Sequence, residues 1–201
     1  MWALMTVAMM APTAVPVLAA LTDILHRGPR TRWWLFLAGY LTAWLGFAVP
    51  VASTQVAAHR VVDDLFHGSG ARFAWGAVLL LAGAYQFSAM KQRCLTECTT
   101  PMTFFLRHWR DGRWGAVRMG LRHGVACIGC CWALMLLAFV AGLDSVWLMA
   151  ACAALMALEK LPSLAQQLAP ALGAALIAAG VVLLLFSSGG THHSVGPNIF
   201  P

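Results

Sequence analysis

The sequence predicts an all-α fold, a polytopic bundle of about six transmembrane helices. Of 201 residues, 61% are hydrophobic and 10% are charged, whereas a soluble domain carries roughly 25% charged residues. The mean hydropathy is +0.76. The apolar residues occur in long runs without the alternation of a membrane β-strand, and only helices or closed barrels satisfy backbone polar groups in lipid. A lipid bilayer is therefore the predicted surrounding.

Six apolar segments carry this prediction, namely residues 2–21, 33–53, 73–90, 123–141, 146–158 and 169–186. A spanning helix needs roughly 20 residues, so the fifth segment is expected to extend into its flanks. Residues 115–141 exceed one span and are expected to project into the interface as a helical extension. A short amphipathic helix is expected over residues 56–66. Residues 1–190 form one predicted transmembrane domain, and the Gly/Ser/Pro-rich tail, 191–201, is predicted to be disordered.

The distribution of basic residues predicts the orientation. The first, third and fifth connections carry most of them: Arg27, Arg30, Arg32, Lys91, Arg93, Arg107, Arg110, Arg113, Arg118, Arg122 and Lys160. The positive-inside rule places these connections in the cytoplasm and both termini on the periplasmic side of the inner membrane. The net charge of +6 is then juxtamembrane charge, and no DNA-binding motif accompanies it. Nucleic acid is not a predicted partner.

The segment RHGVACIGCCWALM, residues 122–135, is typical of a soft-metal site. His123, Cys127 and Cys130 follow the i, i+4, i+7 spacing of one helical face, and Cys131 is adjacent. Thiolate and imidazole ligands suit copper or zinc, whereas magnesium and calcium prefer oxygen. The alternative is that these cysteines pack as small hydrophobic residues.

A second pair of thiols, Cys94 and Cys98, is spaced four residues apart just beyond the third segment. The fourth segment begins on the same side of the membrane, so this pair and His123 with Cys127 are expected at a similar depth. The alternative is a reversible disulfide or two unrelated thiols, and a reducing cytoplasm disfavours a stable bridge.

Methionines and intramembrane polar residues supply further candidates. Met5, Met9 and the neighbouring Met10 precede Pro12, and thioethers at this spacing could form a relay for Cu(I), although most such methionines only fill space. Polar groups in apolar helices are candidates by default, which adds Gln86 with its neighbour Tyr85. Glu159, next to Lys160, could be a hard ligand, a proton carrier, half of a local ion pair or a helix-end anchor.

Several motifs occur in the order of a known family. They are MMAP at residues 9–12, YQ at 85–86, a lysine with two cysteines at 91–98, GCCW with LM at 129–135, and EK at 159–160. In this order, over residues 1–161, the chain resembles the bacterial family of predicted metal-binding integral membrane proteins (domain of unknown function 2182). The chain departs from the family pattern at Thr99, where a basic residue is expected, and at Asp144–Ser145, where Met-Asn is expected.

The resemblance implies a multi-helix membrane protein with a metal site. The matched positions are Met9, Met10, Gln86, Lys91, Cys94, Cys98, His123, Cys127, Cys130, Cys131, Glu159 and Lys160.

The leading functional hypothesis is a membrane protein that binds or passes a soft metal, Cu(I) before zinc. No Walker loop, Rossmann fingerprint, GxSxG elbow or HExxH motif is present, so active transport driven by ATP within this chain is not predicted. An enzymatic activity is not the first expectation. A membrane thiol/quinone oxidoreductase is one alternative. A non-catalytic subunit or assembly factor, with a membrane protein as its partner, is another.

Overall fold

The computed structural model describes residues 2–24, 30–67, 71–140, 146–161 and 163–187. All regular structure in these ranges is helical, which confirms the all-α prediction. The helices are α1 (Trp2–Ile24), α2 (Thr31–His67), α3 (Ala71–Gln86), α4 (Ala89–Thr99), α5 (Pro101–His108), α6 (Gly112–Val140), α7 (Val146–Leu158) and α8 (Ala165–Ser187). The predicted tail, 191–201, lies outside the described residues, and the division into one domain with a tail stays a prediction.

Three described helices are long and apolar enough to cross a membrane: Thr31–Thr54, Gly112–Leu137 and Ala165–Phe186. The bent pair α3–α4 would make a fourth span. Helix α7 has the predicted bounds, but its 13 residues fall short of the roughly 20 that a span needs. Helix α6 confirms that residues 115–140 are one continuous helix.

Helix α2 continues through the region where the sequence predicted a connection. Residues 56–66 are helical as expected, but they extend α2 without a break across Pro50. The hydroxyls of Ser53 and Thr54 donate to the carbonyls of Val49 and Pro50 at 2.9 Å each. These side chains therefore bond back to their own helix instead of ending it.

The third predicted helix is interrupted, because α3 ends at Gln86 and α4 begins at Ala89 with a bend of 61°. Ser88 caps α4: its side-chain oxygen accepts from the Lys91 backbone N–H at 3.1 Å. A serine in this position replaces a helical hydrogen bond and starts a new helix direction. The bend turns Lys91 into the interior, where it is 1% exposed.

Helices α2 and α6 touch through their backbones. A Cβ atom on Gly120 would overlap the carbonyl oxygen of Phe36, and one on Gly39 would overlap that of Val117. Small residues allow this approach, which is the usual way helices associate in lipid. Helix α6 also packs on α4 and α7, so the core of the described chain is centred on its cysteine-bearing face.

Candidate metal centre

Three buried thiols from two helices meet beside α6. Cys98 on α4 and Cys127 and Cys130 on α6 have Sγ atoms that all lie within 4.8 Å of one another. Their exposed fractions are 9%, 1% and 2%, and all three are free thiols. We call these three residues the thiol cluster. It brings together residues separated by about 30 positions, as the matching depth of the two motifs predicted.

The spacing of the thiol cluster suits a soft metal ion. The Sγ atoms of Cys98 and Cys130 lie 3.9 Å apart. Three sulfurs at metal–sulfur distances of about 2.3 Å in a trigonal plane are about 4 Å apart. Small movements of these side chains would therefore complete a three-sulfur site, which soft Cu(I) favours.

Cys127 has two polar neighbours within the core. The Lys160 ammonium nitrogen lies 2.9 Å from the Cys127 Sγ atom, and the Tyr40 hydroxyl lies 3.5 Å from it. An ammonium at this distance balances the charge of a thiolate, the form that binds metals. Burial alone would lower the pKa of Lys160, but negative charge on the surrounding cysteine sulfurs, with Cys127 first among them, outweighs burial. The pKa of Lys160 therefore lies well above its ordinary value.

A second pair of sulfurs continues from the thiol cluster towards α1. The Cys131 Sγ atom lies 4.0 Å from the Met10 Sδ atom, and the two residues are 2% and 1% exposed. The thiols of Cys130 and Cys131 donate to the Cys127 carbonyl at 3.1 and 2.9 Å. The side chains of Met5 and Met9 lie outside the described part of the structure, so their share in a relay stays a prediction.

His123 shares the α6 face with Cys127, but it is not part of the three-thiol group found among the described residues. Its ring is 2% exposed and packs among aromatic rings, with centroids 5.1 Å from Phe104, 6.0 Å from Tyr40 and 6.1 Å from Phe36. Its Nδ1 atom has no hydrogen-bond partner in the described structure. The structure thus places the predicted imidazole ligand in an aromatic environment.

Cys94 also lies outside the three-thiol group. It is half-buried and packs against α6 at Gly129, where a Cβ atom would lie 2.6 Å from the Cys94 Sγ atom. The absence of a side chain at Gly129 therefore lets α4 approach α6 at this level. Cys94 and Cys98 have the spacing of one helical face, but only Cys98 reaches the cluster.

The remaining polar candidates form a separate buried network. The Lys91 ammonium nitrogen lies 3.1 and 2.9 Å from the two carboxylate oxygens of Glu159 and also donates to the Gln86 side-chain oxygen. Glu159 is 2% exposed and Gln86 is fully buried. We call these three residues the ion-pair network.

The ion-pair network and the Lys160 contact correct the sequence analysis in two ways. The sequence predicts Lys91 and Lys160 as loop charges at the interface, whereas the structure buries both. Glu159 was considered as half of a local pair, but it pairs with Lys91, 68 positions away. With both lysines buried, the arginines of the first and third connections carry the predicted orientation, which stays a prediction.

Sequence reasoning overlooked Tyr40, although a tyrosine inside an apolar span is itself a signal of a polar contact. The contact of its hydroxyl with Cys127 connects α2 to the thiol cluster. The other overlooked group consists of arginines that were assigned only to membrane topology. They line a cavity beside Cys94.

The comparisons with known proteins agree with a metal centre. The model of a family described as "PpoB2: Copper chaperone" matches residues 1–183. Neither the curated proteins nor the solved structures contain a significant match. The matched copper chaperone family is consistent with the predicted metal-binding family, and the name domain of unknown function 2182 is not confirmed.

Proposed function

We propose that this chain, which belongs to the PpoB2 copper chaperone family, is a membrane protein that binds Cu(I) as cargo at its thiol cluster and passes it on. The observation that carries the proposal is the meeting of Cys98, Cys127 and Cys130 within 4.8 Å in the core. Three thiols without an oxygen ligand select a soft ion. A structural zinc site would need four ligands, and the group found in the described residues offers three.

The charge of the site supports Cu(I). A monovalent ion held by two thiolates carries one negative charge, and the Lys160 ammonium beside Cys127 neutralises it. Burying an uncompensated charge costs several kcal/mol, so this lysine lowers the cost of holding the metal in the core. A divalent ion would reach the same neutrality if all three thiols of the cluster were ionised, so charge alone does not separate the two ions. The number of ligands in the cluster favours Cu(I).

A route for the cargo is suggested by the second sulfur pair. Cys131 and Met10, with sulfurs 4.0 Å apart, link α6 to α1. Thiol and thioether sulfurs are both ligands of Cu(I), so the ion can pass from one sulfur ligand to the next and stay bound to sulfur at each step. The candidate spans support a membrane location for this route, and from the loop charges we propose the inner membrane with both termini outside.

The proposal is tested by Cu(I) titration of the purified protein in competition with a chromogenic Cu(I) chelator. We expect one Cu(I) per chain and X-ray absorption that shows sulfur ligands only. Cys98→Ser should bind much more weakly, whereas Cys152→Ala, a change at a half-buried thiol of α7 outside the cluster, should bind as the unmodified chain does. Equal and negligible copper in the unmodified protein and Cys98→Ser would contradict the proposal.

A thiol oxidoreductase is the second candidate, because Cys98 and Cys130 lie 3.9 Å apart. A disulfide needs its sulfurs at about 2.05 Å, so a modest movement would close one. Thiol trapping separates the two functions. A reproducible Cys98–Cys130 bridge that forms and opens with an added quinone and quinol favours the redox activity. Protection of the same thiols by Cu(I) favours the chaperone.

A further inference from the structure

A cavity of about 880 Å³ lies between α4, α5 and the first half of α6. Five arginines line it: Arg93, Arg107, Arg110, Arg118 and Arg122. Among the described residues of its lining, Glu97 is the one acidic side chain, and its carboxylate lies 3.4 Å from the Arg122 guanidinium. The cavity is therefore strongly positive, and its volume is that of a site for a small molecule.

Cys94 lies in the lining of the cavity, on the same helix as Cys98 of the thiol cluster. This residue is the one cysteine in the lining, and it is half-buried while the three cluster thiols are buried. It precedes Cys98 by one turn of α4 and packs on Gly129, next to Cys130. Ala126, also in the lining, adjoins Cys127. Cys94 is thus placed between an open, positive cavity and the closed thiols.

We propose that this cavity binds the Cu(I) complex of a small thiol that carries carboxylates, and that Cys94 is the first protein sulfur to take the ion. The inference rests on the proposed copper function. Guanidinium groups bind carboxylates through paired hydrogen bonds, which accounts for the five arginines. A copper-carrying ligand also needs a soft acceptor at the inner wall of the cavity, and Cys94 is that acceptor. Neither a lipid headgroup nor a free phosphate would require a thiol there.

The transfer is a ligand exchange without a change of oxidation state. The bond between Cu(I) and the donor sulfur breaks as a bond between Cu(I) and the Cys94 sulfur forms. The proton of the Cys94 thiol passes to the departing donor thiolate. Copper stays Cu(I), and the freed thiol leaves through the cavity. A second exchange of the same kind moves the ion one helical turn to Cys98.

The test compares two donors in stopped-flow copper transfer to the full-length protein: Cu(I)–glutathione, which carries carboxylates, and Cu(I)–cysteamine, which carries none. We expect the double variant Arg93→Gln/Arg118→Gln to slow transfer from glutathione about tenfold, in the range of electrostatic steering, and transfer from cysteamine little. The matched control Arg72→Gln/Arg113→Gln changes two exposed arginines outside the cavity lining and should leave both rates unchanged. Cys94→Ser should slow transfer from both donors.

Each outcome has a definite meaning. The two transfer rates are compared within one variant. A loss of folded protein lowers both rates by the same factor and leaves their ratio unchanged. Equal slowing of both donors by the arginine variant, or no slowing, overturns the inference. So does loss of the glutathione preference in nanodiscs that contain phosphatidylglycerol, because the cavity would then be a lipid headgroup site. If the unmodified protein takes no copper from either donor or in the chelator titration, the proposed function itself fails.

Discussion

The chain has two lysines, and both are buried, but their partners differ. Lys91 faces the Glu159 carboxylate and the Gln86 side-chain oxygen, whereas Lys160 faces the Cys127 thiol at 2.9 Å. A carboxylate is a hard group that Cu(I) binds poorly, so the metal ion does not compete with Lys91 for the Glu159 carboxylate. A thiol is a soft ligand, so the partner of Lys160 can also bind a metal.

The Lys91–Glu159 contact is therefore structural, whereas in the Lys160–Cys127 contact a metal ion can replace the lysine as the partner of the thiol. The Lys91–Glu159 pair ties the start of α4 to the end of α7, so it fixes the position of the helix that carries Cys98. In the proposed function, the Lys160–Cys127 contact would hold a ligand in the core for the incoming Cu(I). Adjacent residues, Glu159 and Lys160, thus serve the two sites. Four experiments test whether the two lysine contacts differ in this way.

The largest effect is expected from Lys91→Met, which leaves the Glu159 carboxylate buried and unpaired. Removing one partner of a buried pair costs about 3–5 kcal/mol, so the thermal unfolding midpoint of the detergent-solubilised protein should fall sharply. The double variant Lys91→Met/Glu159→Met removes both charges and should recover most of the loss. If the double variant is no more stable than the single one, the pair is not the source of the stability.

The second effect is on copper affinity and is expected from Cys127→Ser. This change removes a proposed ligand and the partner of Lys160, so we expect affinity for Cu(I) to fall more than 100-fold, beyond the 10–100-fold typical of groups that only support a ligand. Chelator competition measures the affinity. The Cys152→Ala variant is the control. An affinity within a few-fold of the unmodified protein would remove Cys127 from the site.

Lys160→Met should weaken Cu(I) binding about tenfold, as expected for a group that supports a ligand. Stability should fall less than in Lys91→Met, because the thiol left behind becomes neutral by keeping its proton, and a buried neutral thiol is tolerated well. Parallel chelator titration and thermal unfolding of the two lysine variants check this. Equal losses of stability in both would erase the distinction between the two sites.

The smallest effect is expected from Met10→Leu, since volume-conserving changes in a core cost less than about 1.5 kcal/mol. Equilibrium affinity should change no more than a few-fold, while release of Cu(I) to an external chelator should slow if the ion leaves through this sulfur. Met102→Leu, at a 57% exposed position on α5, is the matched control. Identical release rates in Met10→Leu and the unmodified protein would exclude this route.

Long apolar runs predicted most of the fold, because a helix in lipid is specified by its own residues. The bounds of α7 and the full length of α6 followed from sequence. The break between Gln86 and Ala89 did not, since it depends on the Ser88 cap within a segment that is apolar enough to continue. The apolar pattern alone does not record where a helix bends.

The site could be predicted only in part. Helical spacing identified both cysteine motifs, but it did not distinguish Cys98 from Cys94. Both residues pack against α6, and the position of α4 along α6 decides which thiol reaches Cys127 and Cys130. Lys91 and Lys160 lie at helix ends, where lysine usually anchors an interface. Their true partners, Glu159 and Cys127, are 68 and 33 positions away, a relation that no local pattern in one sequence contains.

The glycine contact between α2 and α6 has a consequence for tolerance of mutation. With backbone against backbone at Gly39 and Gly120, no side chain between the helices can rotate to absorb an added methyl group. Tyr40 follows one of these glycines directly, and its hydroxyl meets Cys127 across the same interface. Gly39→Ala or Gly120→Ala changes a residue that contacts no sulfur atom, yet it would push α2 away from α6 and so separate Tyr40 from Cys127. The sequence requirements of the site therefore extend to residues that have no functional group at all.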